Sequence, residues 1–315
     1  MRLTVLAFGL IALAAVALPA QAQQQLTDPD FQPTVARPAY AADAPVVVID
    51  AAHNNFHTVE GRYAPFAALL RADGHQVRGG TVDFDAGGLD GVDILVIANA
   101  GPVNGGSPFT ASEIDAVEAW VRGGGKLLLI ADHAPFGVAA ADLGARFGVG
   151  MGKGWTFEPA DNANGLTSQL VYSRENGRLG DHPITRGRDP GEAVATVTAF
   201  TGQSLIAPEG ADVLMHLGPQ AWEAATPQDA PAVAEAIRTG ASDNPAVHSA
   251  VGRAQGLAFT HGEGRVVVLG EAGMLSAQLV RFGDDRPDMR FGMNVAPGNP
   301  QFGLNIMHWL TGLLP

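Results

Sequence analysis

Short apolar runs recur along the chain, and each ends in a cluster of polar residues. Pro45-Val-Val-Val-Ile-Asp50, Asp93-Ile-Leu-Val-Ile-Ala98 and Lys126-Leu-Leu-Leu-Ile-Ala131 are the clearest. Runs this short, with little alternation, read as strands buried on both faces. Between the first two, Tyr63, Phe66, Leu69 and Leu70 fall at helical spacing and Gly74 closes the helix. Residues 76–78 predict a short second strand. Thr110 with Glu113 three residues on forms a capping box for a helix reaching about Arg122, which Gly123-Gly-Gly125 breaks. A β-α-β-β-α-β order of continuous apolar strands implies α/β architecture, with a parallel sheet covered on both faces.

The pattern loosens over residues 151–255, which read as an irregular insert. Strands are expected near 193–200 and 211–217, with a short helix near 231–238. It tightens again at residues 256–260 and 265–269, which flank the hairpin turn His261-Gly-Glu-Gly264, and residues 301–310 make a last helix. At the other end, Arg2, the apolar residues 3–18 and Ala20-Gln21-Ala22 have the order of a signal peptide over 1–22. The expected mature protein is periplasmic or secreted, with a flexible arm over 23–44 and a single domain over 45–315. No other stretch approaches the roughly 18 apolar residues of a membrane span.

Composition narrows the function classes. Of 315 residues, 46% are hydrophobic and 16% charged, which excludes a disordered chain. The 19 Lys and Arg against 32 Asp and Glu give a charge of −13, so binding to nucleic acid or to an anionic membrane surface is not expected. The absence of Cys removes disulfides, thiolate metal sites and a Cys nucleophile. No Gly-x-Ser-x-Gly elbow and no phosphate-binding Gly motif follows a strand.

Ligands of open parallel sheets bind beyond the carboxyl ends of the strands. Four predicted strands lead there into chemistry-bearing residues: Asp50, His53, Asn54 and His57 after the first, and Asn99 after the strand ending at Ala98. Asp132 and His133 follow residues 126–131, and Glu271 follows residues 265–269. His and carboxylate donors without Cys suit a divalent metal (Zn, Mn or Fe) carrying a bound water. The expected metal ligands are Asp50, His53, His57 and His133. Asp132, His133 and Glu271 are the expected catalytic residues, and Asn54, Asn99, Trp155 and Trp222 the substrate-binding ones. His261-Gly-Glu263 reads as a hairpin turn rather than a catalytic pair.

The run Gly124-Gly-Lys-Leu-Leu-Leu-Ile-Ala-Asp-His-Ala-Pro-Phe136, followed by Leu143-Gly-Ala-Arg-Phe-Gly148, resembles the class I glutamine amidotransferase-like superfamily. Asp181-His-Pro-Ile-Thr-Arg-Gly187, Gly262-Glu-Gly-Arg-Val-Val-Val-Leu-Gly270, His53 and His57 resemble its ThuA-like, non-amidotransferase branch. The resemblance spans about residues 45–311. It implies a three-layer sandwich with a mostly parallel, flavodoxin-like sheet. The family's nucleophilic Cys position falls near Asp132-His133, so glutamine hydrolysis is not expected. The functional expectation is an exported, metal-assisted hydrolase of a small or carbohydrate-related substrate. The alternative is a non-catalytic domain that binds a sugar or cell-envelope ligand.

Overall fold

The computed structural model describes residues 24–159, 168–281 and 287–315. The expected signal peptide lies outside them. The first apolar run forms β1 (Val46–Asp50), followed by α1 (Ala64–Ala72), β2 (Gln76–Gly80), β3 (Ile94–Ala98), α2 (Ala111–Arg122), β4 (Lys126–Ile130) and α3 (Phe136–Arg146). Later come β5 (Ala254–His261), β6 (Gly264–Leu269) and α4 (Asn299–Leu310). The sheet runs β2-β1-β3-β4-β6-β5, and all pairs are parallel except β6 with β5.

Alternation within the strands explains the layers. Val47, Ile49, Ile94, Val96, Leu128, Ile130, Val267 and Leu269 share one core with Phe66, Leu69 and Leu70 of α1 and with Phe302, Ile306 and Leu310 of α4. Their sequence neighbours Val48, Leu95, Ile97, Leu127, Leu129, Val266 and Val268 pack instead with Ile114, Val117 and Val121 of α2 and Leu143 of α3. Adjacent strand residues point to opposite faces. Apolar residues at both parities therefore bury both faces, and a helix pair covers each.

The irregular insert is only partly a separate feature. Its strands Leu205–Ile206 and Asp212–His216 pair antiparallel with β5, and Gly150–Met151 pairs with the former, so the sheet is mixed and nine-stranded. A small antiparallel sheet of Trp155–Phe157, Trp222–Ala224 and Val247–Ser249 carries its own core with helix Ala230–Thr239. The segment expected as a loose arm is tied down from residue 24. Gln24–Thr27 pairs antiparallel with Ala277–Arg281, and the Tyr40 amide donates to the Asp73 carbonyl. Strand pairing satisfies backbone groups whatever the side-chain pattern, which is why three consecutive Gln gave no warning.

Candidate functional site

Asn99, Asp132, His133 and Glu271 meet at one cavity of about 430 Å³ beyond the carboxyl ends of β3, β4 and β6, joined by His57 from the loop after β1. The two loops after β1 and β3 dock closely. The Gly101 amide donates to the His53 carbonyl at 3.0 Å, and a Cβ on Gly101 would sit 2.7 Å from the Asn54 carbonyl oxygen. The chain must also turn sharply as it leaves β3: Asn99 has φ +48°, a left-handed conformation that Asn tolerates better than most residues.

Hydrogen bonds define the protonation pattern of the wall. The Asp132 backbone N–H donates to Asn99 Oδ1 at 2.8 Å. The Asn99 amide nitrogen therefore faces His57 Nδ1, 3.2 Å away, and must donate to it. His57 is then a neutral imidazole with its proton on Nε2. Burial, with a contribution from the Arg62 charge, pushes its pKa down to about 3, in keeping with that state. His133 has the opposite tautomer: its Nδ1–H donates to the Ala134 carbonyl at 2.7 Å, which leaves Nε2 as the basic nitrogen, 4.0 Å from Asp132 Oδ1. Its ring stacks on Trp155 with centroids 3.5 Å apart. Asp132 Oδ1 accepts from the His133 amide at 2.7 Å and from the Thr201 hydroxyl at 3.2 Å.

Glu271 is fully buried, and its carboxyl accepts the amides of Gly273 at 2.6 Å and Met274 at 2.7 Å. Burial foremost, then the nearby Asp132 carboxylate, holds its pKa well above the ordinary range, against the lowering effect of the backbone amides. Glu271 is thus a buried carboxyl whose neutral form is favoured, beside a second carboxyl. Environments that separate two carboxyls in this way are one route to paired acid and base roles.

The expected metal quartet does not assemble. His53 is buried between Asp50 and Glu113, with Nδ1 2.9 Å from Asp50 Oδ2 and Nε2 2.7 Å from Glu113 Oε1, and Phe84 and Phe109 flank its ring. Burial works against its charge, but the bonds and charges of Asp50 and Glu113 outweigh it and raise the pKa. Both ring nitrogens therefore donate to carboxylates, leaving no lone pair for an ion. Among the described residues, the only His and carboxylate group with three or more donor atoms within 4.8 Å of one another is His53, Asp83 and Glu113, which includes neither His57 nor His133.

Two expected substrate contacts also fall elsewhere. Asn54 is exposed and does not line the cavity. Trp222 packs with Phe157, Val233 and Val247 in the small sheet's own core. Trp155 does line the cavity, with one face already covered by His133. His75 and His308 are buried around Asp73. His182 caps the helix Pro183–Arg186, and His261 ends β5 at its turn and bonds Glu118.

Sequence reasoning missed Arg62, Gln25 and Thr201, along with the ring wall of Phe56, Phe136, Phe200 and Phe291. Gln25 and Thr201 do not follow a parallel strand, Arg62 lies well beyond β1, and a rule that looks for polar residues passes over rings such as Phe56 beside His57. Glu113 was legible as a cap, and it does accept the Thr110 amide, but its second role toward His53 was not.

No protein-family profile matches the chain, and no curated protein matches it. Among solved structures it is similar to the mmIFT52 N-terminal domain, with 15% identity over 84% of this chain and 97% of that one, at a TM-score of 0.58. A ThuA-like protein from Bacteroides uniformis aligns with 15% identity over 87% of this chain and 94% of that one, at a TM-score of 0.44. A GMP synthase subunit from Thermoplasma acidophilum aligns with 12% identity over 87% and 97%, at a TM-score of 0.39. The first likeness establishes a shared α/β fold and says nothing of chemistry, and the other two are too distant to argue from.

Proposed function

We propose that the chain is an exported hydrolase of the class I glutamine amidotransferase-like fold, close to its ThuA-like branch, that uses acid–base chemistry on a small substrate. The observation that carries this reading is the convergence of Asp132, His133, Glu271 and His57 on one cavity, with complementary protonation states. His133 Nε2 takes a proton from water as its oxygen attacks the substrate, and Asp132 stabilises the imidazolium that forms. Glu271 gives its proton to the leaving group as the scissile bond breaks. These are general-base and general-acid roles, and the His57 Nε2–H is left as a fixed donor for the bound substrate. The reading uses no divalent metal, because Asp50 and His53, two of the four expected ligands, are engaged with each other and with Glu113. Export is supported by Arg2, the apolar residues 3–18 and Ala20-Gln21-Ala22.

The test is hydrolysis of a panel of chromogenic esters, amides and glycosides by the mature protein. His133→Ala and Glu271→Gln should each lower kcat/KM by about 10²-fold or more, the scale of general acid–base catalysis. EDTA should leave the rate unchanged. Binding without turnover across the panel would instead favour the non-catalytic alternative. Sequencing of protein recovered from the periplasm should begin at Gln23.

A further inference from the structure

Arg62 is an unusual residue for so acidic a chain. Its guanidinium carbon lies 3.6 Å from the centroid of the Phe56 ring, and its one hydrogen bond among the described residues runs to Gln25 Oε1 at 3.1 Å. Among the described residues it pairs with no carboxylate, although acids outnumber bases 32 to 19. Among the described residues its Nε is buried without a partner, as is His57 Nε2. Both residues line the same cavity, and His57 is 3% exposed.

The network through Asn99 settles what His57 offers there: a fixed N–H donor, not an acceptor. Burying two donors unmet carries a desolvation cost that an acceptor bound between them would remove. A guanidinium presents its N–H groups as a planar fork that matches a carboxylate. Beside it, Phe56, Phe136, Phe200 and Phe291 supply ring walls for an apolar body.

We propose that the cavity binds an organic carboxylate, its acid group held by Arg62 and the His57 Nε2–H and its apolar body against the Phe walls. This rests on the reading of the same cavity as a hydrolytic site, and narrows its substrates to esters, amides or glycosides bearing a free carboxylate.

Isothermal titration of the full mature chain with phenylacetate, and with its neutral counterpart phenylacetamide, tests this directly. Phenylacetate should bind at least tenfold more tightly, and the preference should disappear in Arg62→Met and shrink in Arg62→Lys. It should persist in His133→Ala, whose hydrolysis is lost. Equal binding of the two probes by the wild type, or an undiminished preference in Arg62→Met, overturns the proposal. If neutral substrates are hydrolysed in a His133-dependent way without any preference for the acid, this inference fails and the hydrolase reading stands. If the preference is present but no substrate is turned over, the hydrolase reading fails and the carboxylate site stands.

Discussion

Replacing Asn99 separates the chemistry of the wall from its packing. In Asn99→Ala two buried hydrogen bonds vanish: the one accepted from Asp132 N–H at 2.8 Å and the one donated to His57 Nδ1 at 3.2 Å. Each bond contributes about 1 kcal/mol net, and leaving a buried partner unmet costs up to about 3 kcal/mol. Ala also tolerates φ +48° less well than Asn, by about 1 kcal/mol. A loss of roughly 3–5 kcal/mol in urea denaturation is expected. Asn99→Asp is the sharper experiment. It keeps an oxygen for Asp132 N–H but sets a carboxylate against His57 Nδ1, which draws the proton to Nδ1 and turns Nε2 into an acceptor. Long-range nitrogen–proton NMR of the imidazoles reads the tautomer. The wild type should show His57 protonated on Nε2 alone down to about pH 4, as its pKa of about 3 requires. Asn99→Asp should show the other tautomer and lose phenylacetate binding. A wild-type His57 that is protonated on Nδ1, or doubly protonated at pH 6, would refute the reasoning.

Three further outcomes follow from the geometry. His53 has a folded-state pKa above 6.5, so its pairing with Asp50 and Glu113 contributes fully below that pH and is lost as pH rises through the folded value. Glu113 is lowered from 4.5, burial opposing but the Thr110 and His53 bonds prevailing, so its share disappears as pH falls below that range. The stability advantage of the wild type over His53→Gln, measured by denaturation across pH, should therefore be largest between pH 4.5 and 6.5; an advantage that grows above pH 8 contradicts the assignment. Trp222→Ala should cost about 3–5 kcal/mol through the small-sheet core while leaving phenylacetate affinity within twofold, as titration and melting together would show. Zinc or EDTA should leave the melting temperature unchanged, because Asp50 and His53 lie apart from His57 and His133 and the expected set of four does not assemble, and a rise of several degrees with zinc would contradict that geometry.

The parallel strands were legible because both faces are covered, which demands apolar residues at successive positions through the body of β1, β3 and β4. The capping box at Thr110 was equally local and equally readable. The sheet-edge rule also found Asn99, Asp132, His133 and Glu271, since each follows its strand closely. It could not resolve His53 from His57. Four residues apart in one loop, they turn in different directions, His53 toward Glu113 on α2 and His57 toward Asn99. Only the docking of that loop against Gly101 decides between them. Trp222 fails for a related reason: a three-residue strand exposes either face equally, and helix Ala230–Thr239 determines which one is covered. Arg62 carries no local signal at all, because its surroundings come from Gln25 and Phe56.

The contact between His133 and Trp155 gives the protein a built-in optical probe. A protonated imidazole accepts an electron from an excited indole, whereas a neutral one scarcely does. At a centroid separation of 3.5 Å, Trp155 emission should dim as His133 takes up a proton. Of the chain's four Trp, this is the one stacked face to face on an imidazole. The difference in emission between wild type and His133→Ala thus isolates the ionisation of a single side chain, with no label added and no substrate needed.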